Sequence, residues 1–253
     1  NENTKDQSLN VNQYNTQINE PIMSCINPFL TELLKLQQDG KLAISAPTNW
    51  IDAGPLLEVP TEIDIIMDNL LDQILIGESK NKVGRWHFLI GSPGNGKSAA
   101  IGRLCRFLMR ERGCHICDEN NTPLNELSNT QVPYALKVYE KDNRFPSALI
   151  VQDASVVRNP FSLETDPAVE LINTLKDVWT NGRSLVICTN RGVLEKAHVD
   201  YYLNKEVYVT PWFKIIPKII AQNSEDKEFE CIPSREKKVV FESILVSYNY
   251  LDN

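Results

Sequence analysis

Between Gly91 and Ser98 the chain reads Gly-Ser-Pro-Gly-Asn-Gly-Lys-Ser, the spacing G-x-x-x-x-G-K-[ST]. These residue types suit one chemistry, the holding of a phosphate chain. Gly91, Gly94 and Gly96 let successive N–H groups turn inward around an anion with no Cβ in the way. Lys97 adds a point charge for the outer phosphates, and Ser98 offers a hydroxyl to a Mg²⁺ ion. Ser92, Pro93, Asn95 and Ala99 complete the binding stretch. Two further polar residues end apolar runs of strand character. Ala148-Leu-Ile-Val-Gln-Asp153 carries an acid to the carboxyl edge of a sheet, either to stand beside the metal or simply to cap the next turn. Ser184-Leu-Val-Ile-Cys-Thr-Asn190 delivers Asn190 to the same edge.

The elements that must position these residues follow from periodicity. Trp86-His-Phe-Leu-Ile90 leads into the loop as a strand, and Ile101, Leu104, Cys105 and Leu108 behind it repeat at helical spacing, in a helix expected to run to Arg112 and end at Gly113. Upstream, Thr61 and Asp64 resemble a capping box before the stripe Ile63, Ile66, Met67, Leu70, Leu71, Ile74, a helix expected to pack on the loop-bearing domain. Downstream, Cys114-His-Ile-Cys117 has the spacing of half a zinc site, but no second pair follows, and it reads as a helix-end turn. Asp118 to Pro133 is loop-like, and Tyr134–Tyr139 has strand character. A helix capped by Thr165 or Asp166, with Pro167 in its first turn, should close at Gly182. Trp212 to Ile220 reads as a helix broken at Pro217, and the alternating stretch within Lys238–Tyr248 as a strand that joins the sheet.

The 253 residues, 42% hydrophobic and 23% charged, suffice for a sizeable core. A net charge of −7 excludes a surface that is a nucleic-acid footprint throughout, although a local basic groove for DNA would be hidden in that average. No apolar run is long enough to cross a bilayer and the start has no signal-peptide plan, so the expectation is a cytoplasmic protein without membrane contact. Six sparse cysteines fit reduced thiols better than a disulfide scaffold. Residues 1–20 are polar, Pro28 to Gly40 carries a helical pattern, and Ile44 to Pro60 is a connector. The organisation expected is therefore a lead over 1–60 and a nucleotide-binding domain over 61–253. Because the chain opens on Asn1 and stops just past a strand-like run, we expect a piece of a longer protein, with the domain truncated at its C-terminus.

Together the motifs resemble the core of an AAA+ ATPase over roughly residues 60–200: Walker A at Gly91–Ser98, one intervening strand, Walker B ending at Asp153, and sensor 1 at Asn190. The resemblance implies an α/β, three-layer P-loop NTPase fold with a mostly parallel central sheet and helices on both faces. It also implies ATP and Mg²⁺ as ligands, Lys97, Asp153 and Asn190 as catalytic residues, and Ser98 and Asp153 as the metal's ligands. Self-association or a partner protein would be part of the function. One strand between the P-loop unit and Walker B is the order of AAA+ and RecA-like proteins, whereas in small GTPases and nucleotide kinases the two strands are neighbours.

This sequence departs from the family at Walker B, which usually ends Asp-Glu and here reads Gln152-Asp153-Ala154. Either Asp153 is the metal acid and Ala154 replaces the base, or Gln152 takes the metal position and Asp153 is the base. Both alternatives imply slow hydrolysis unless Glu164, Asp166 or another subunit supplies the missing group. Arg158-Asn159-Pro160 reads as a surface turn or as a reach into a neighbour's site. Arg191 and Arg235 are the arginine-finger candidates, and no sensor 2 lid is evident. The chain is also similar in general look to ATPase subunits of bacterial DNA-modification-dependent restriction and anti-phage systems. Two functions are in view: an ATPase that couples turnover to a protein or DNA partner, and a nucleotide-dependent assembly switch that hydrolyses little.

Overall fold

The computed structural model describes residues 62–75, 83–92, 94–127, 133–155, 166–203, 214–221, 228–232 and 243–251, all within one compact unit. The helix expected from Pro28 to Gly40 and the rest of the 1–60 lead lie outside the described residues. In chain order the elements are α1 (Glu62–Ile74), β1 (Val83–Ile90), α2 (Lys97–Arg110), β2 (His115–Cys117), a 3₁₀ turn (Leu124–Glu126), β3 (Ala135–Tyr139), β4 (Ala148–Val151), α3 (Pro167–Asn181), β5 (Ser184–Thr189), α4 (Arg191–Leu203), α5 (Ile215–Ala221), β6 (Glu228–Cys231) and β7 (Ser243–Tyr250).

The strands form a mixed seven-stranded sheet in the order β2-β3-β4-β5-β1-β7-β6. Its four central strands, β4, β5, β1 and β7, run parallel, and β3, β2 and β6 are added antiparallel at the sides. The residues of β4 and β5 are buried throughout, as continuous apolar runs must be when both faces of a parallel sheet are covered. The period of two divides β1 between two cores. Phe88 and Ile90 face one that holds Leu171, Leu175 and Val178 of α3, Leu194 of α4 and Ile216 and Ile219 of α5. Leu89 faces the other, with Met67 and Leu70 of α1 and Ile101, Leu104 and Leu108 of α2. Each of those fully buried Leu and Ile side chains contributes about 1.5–3 kcal/mol, which fixes α2 on the sheet whatever its N-terminus does.

The ends of α2 and α3 follow the expected chemistry with small shifts, whereas Thr61 of the expected capping box lies outside the described residues. α2 stops at Arg110 rather than Arg112, and Gly113 at φ 63° lets the Cys114 N–H turn back to the Leu108 carbonyl at 3.0 Å. Of the two proposed caps for α3, Asp166 is the one used: its carboxylate accepts from the Ala168 N–H at 2.9 Å, and Gly182 at φ 64° ends the helix.

Three expectations are corrected. Cys114–Cys117 is not a helix-end turn: His115–Cys117 is the edge strand β2, paired with Val138 and its neighbours, because the apolar Ile116 and Cys117 are buried by that pairing. Two strands, not one, therefore separate the loop helix from β4 in the chain. Of the broken helix expected from Trp212 to Ile220, Trp212 and Phe213 lie outside the described residues, and Pro217 does not break α5, since it falls in the first turn of Ile215–Ala221, where its missing N–H has no intrahelical role. The acid-bearing run is strand only to Val151, so Gln152 and Asp153 belong to the turn beyond it. The C-terminal strand does join the sheet, as the register of β7 on β1 over eight residues.

Candidate functional site

β1 and β5 are neighbours whose following helices leave on opposite faces, α2 toward one core and α4 toward the other. Such a divergence opens a crevice beyond the carboxyl ends of the two strands, the usual ligand position in an open α/β sheet. Gly91 to Ala99 begins at one lip of it and Asn190 at the other.

The root of the loop is fixed by two main-chain bonds, Leu251 N–H to Ile90 O at 2.8 Å and Gly91 N–H to Thr189 O at 3.1 Å. Gly94 at φ 91° and Gly96 at φ 78° take left-handed conformations, whereas Gly91 is a buried residue with no such angle. Gly96 is the N-cap of α2 and provides no side-chain cap. The first helical bond is Ala100 N–H to Gly96 O at 3.0 Å, so the amides of Lys97, Ser98 and Ala99 are outside the ladder at the positive end of the dipole. α3 and α4 differ, being capped by Asp166 and Asn190. Lys97 is only 8% exposed. Its ammonium donates to the carbonyls of Gly91 at 2.6 Å and Ser92 at 2.7 Å, leaving one of three hydrogens uncommitted, and it forms no ion pair among the described residues. The half-buried Ser98 hydroxyl likewise has no partner there. Pro93 lies outside the described residues.

Asp153 uses one carboxylate oxygen locally, accepting from the Ser155 N–H at 2.9 Å and its hydroxyl at 2.5 Å. The expectation that the acid caps the next turn therefore holds for that oxygen, while the other has no hydrogen bond among the described residues. The Gln152 amide nitrogen is committed elsewhere: the residue is 3% exposed and that nitrogen donates to Pro133 O at 2.6 Å, beside β3, while its buried Oε1 has no hydrogen bond among the described residues. Ala154 is fully buried, with its N–H on Cys188 O at 2.8 Å. Burial pushes the Cys188 thiol far up, the Lys97 ammonium draws it partly back and the Asp153 carboxylate pushes it further, so both charges act on the same point of β5. Asn190 caps α4 by accepting from the Val193 N–H at 2.8 Å, which leaves its amide nitrogen as the end available to a ligand.

Other expected residues take different parts. Asp166 bonds Lys196 as well as capping α3, and that hydrogen bond holds its carboxyl below the usual range. Arg191 pairs with Glu195 at 2.7 Å on the surface of α4. Arg158, Asn159, Pro160, Glu164 and Arg235 lie outside the described residues. Cys114 and Cys117 are buried free thiols, the former pushed up to about 11 by desolvation.

A cavity of about 600 Å³ lies away from this edge, between β3, β4 and α3. Its cations are already used, Lys137 by Glu119 O and Asn121 Oδ1 and Arg183 by Asp177, so it lacks the loop's uncommitted charge. Sequence reasoning missed two features. Asn95 donates its side-chain amide to Leu251 O at 3.1 Å, and His87 on β1 is buried against Ser247 on β7. Only the register of β7 against β1 reveals either, and that register is not written in local pattern.

No helix among the described residues is long and apolar enough to cross a membrane. Compared with known proteins, the chain matches no family model, no curated protein and no solved structure.

Proposed function

We propose that the chain is a P-loop NTPase domain of the AAA+ type that binds ATP with Mg²⁺ at Gly91–Ala99. The observation that carries this reading is Lys97, a buried cation with no ion pair among the described residues, presented by its own loop with a hydrogen uncommitted. A buried charge left without an anion is costly, and a phosphate supplies the missing partner. The orphan amides of the α2 first turn would take the same group. Strand order supports the reading, since β5 separates the loop strand β1 from the acid strand β4, as in AAA+ and RecA-like proteins and unlike small GTPases.

In this reading Ser98 and the unbonded oxygen of Asp153 would hold the metal, and the Asn190 amide would be free to donate to a phosphate oxygen. Bound Mg²⁺ would neutralise charge on the phosphates. A carboxylate that could orient the attacking water has no counterpart at Ala154, which is packed in the core. That observation favours the second reading, a nucleotide-dependent assembly switch acting on another copy or a partner protein, with turnover far below the roughly 10 s⁻¹ median of enzymes. The test is calorimetry with ATP and Mg²⁺. The wild type binds, and Lys97→Ala loses about a hundredfold in affinity. Equal affinity in the two proteins would remove the phosphate assignment.

A further inference from the structure

The crest and the root of the loop are joined through a single residue of the last strand's end. Leu251 gives its N–H to Ile90 O at 2.8 Å, immediately before the loop, and receives the Asn95 side-chain amide on its carbonyl at 3.1 Å, between the two left-handed glycines. Gly94 and Gly96 are the residues least able to hold a conformation by themselves, so the loop's shape depends on what pins the residue between them. Leu251 in turn is held by β7, whose eight residues pair with β1, and by Tyr250, whose hydroxyl donates to Ile219 O on α5 at 3.0 Å.

We propose that Asn95 is a positioning residue that braces the phosphate loop against the end of β7, so that loop order and the order of residues 243–251 rise and fall together. A rigid loop keeps its amides converged before a ligand arrives, and affinity gains by the ordering cost avoided. This rests on the phosphate-binding reading for its ligand, but not for the brace itself. Residue 95 is also where any ligand-driven shift of the crest would be passed, through Leu251, to β7 and α5.

The experiment is hydrogen exchange on the whole chain, wild type and Asn95→Ala, without and with saturating ATP and Mg²⁺, together with calorimetry. Without nucleotide, Asn95→Ala should speed exchange in both 91–99 and 243–251. With nucleotide, the wild type should gain protection in both segments, whereas the variant, weakened about tenfold in affinity, should regain it in 91–99 alone. Unchanged exchange in the nucleotide-free variant overturns the brace. So does nucleotide protection of 243–251 that persists in Asn95→Ala, which would mean that the two segments are coupled by another route. If the wild type binds no ATP, the phosphate reading fails, and the nucleotide-free comparison still decides the brace. Asn95→Gln, which keeps an amide donor, should restore part of the slow exchange; a residue that acted only by filling space would not distinguish Gln from other side chains of that size.

Discussion

Two turns leave the same edge of the sheet, one after β1 and one after β4, and they differ in which polar groups are committed within the fold. In the first, the amides of the α2 first turn lie outside the helix ladder, and the Lys97 ammonium has no anionic partner among the described residues. In the second, one Asp153 oxygen accepts twice from Ser155, the Gln152 amide donates to Pro133 O while its buried Oε1 has no hydrogen bond among the described residues, and Ala154 is sealed in the core with its N–H on Cys188 O. Groups that satisfy each other stabilise the fold. Groups held unsatisfied cost stability, a cost that the proposed ligand would offset. The proposed ATP site thus has a well-prepared binding half and a thinly equipped hydrolytic half.

The largest effect should come from forcing catalytic chemistry on the second turn. Ala154→Glu would place at this position the acid that AAA+ proteins carry there, but the side chain would enter a fully buried position. It should lower the free energy of unfolding by about 3 kcal/mol or more, through overpacking and a desolvated carboxyl. Urea denaturation measures this directly. An Ala154→Glu protein as stable as the wild type, hydrolysing ATP faster, would place that turn in the open and dissolve the contrast between the two turns.

The contrast also explains what could be read from sequence. The Gly91–Ser98 pattern, the α2 stripe of Ile101, Leu104 and Leu108, and the caps around α3 are local, with their causes lying within a few residues of each other. They were legible for that reason. β2 was missed because three residues carry too little periodicity to register, and their burial depends on pairing with β3. The ending of β4 at Val151 was missed because the partner of Gln152 is 19 residues away in sequence. Asn95 reaches Leu251 just past β7, 156 positions on, and His87 reaches Ser247 within it, 160 positions on, and only the parallel register of β1 and β7 brings them together.

His87 gives the second prediction, and it concerns the strand that carries the loop. Burial lowers its pKa from 6.5 to about 4, because desolvation disfavours the charged imidazolium. The unfolded chain therefore binds a proton on this residue in a window where the folded chain does not, and stability must fall as pH drops from 6.5 toward 4. At pH 5 the loss should be about 2 kcal/mol relative to pH 7.5. Comparing urea midpoints of wild type and His87→Gln isolates the residue, because the carboxylates, including Asp166, titrate alike in both. Parallel pH profiles for the two proteins would mean that β1 gives His87 access to water, and that the root of the loop is looser than its bonds to Thr189 and Leu251 imply.

The smallest effect separates shape from contact inside the loop. Gly94 has φ 91°, yet a Cβ built there meets nothing within 4 Å. Gly94→Ala should therefore cost only conformational strain, about 1 kcal/mol, with no steric share, because an L side chain disfavours that angle by roughly this amount. Two ways of relieving the strain make different demands. If the loop keeps its shape, unfolding free energy falls by that amount and ATP affinity is unchanged, since the amides still converge. If the loop relaxes, the native state escapes the strain, stability is nearly unchanged, and the same penalty appears in binding as about a fivefold weaker affinity. The Asn95–Leu251 bond and the two carbonyl contacts of Lys97 hold the crest from both sides, which favours the first outcome. A loss in binding without a loss in stability would show that the left-handed conformation at Gly94 is imposed by the ligand, and that the loop is less prepared than its contacts suggest.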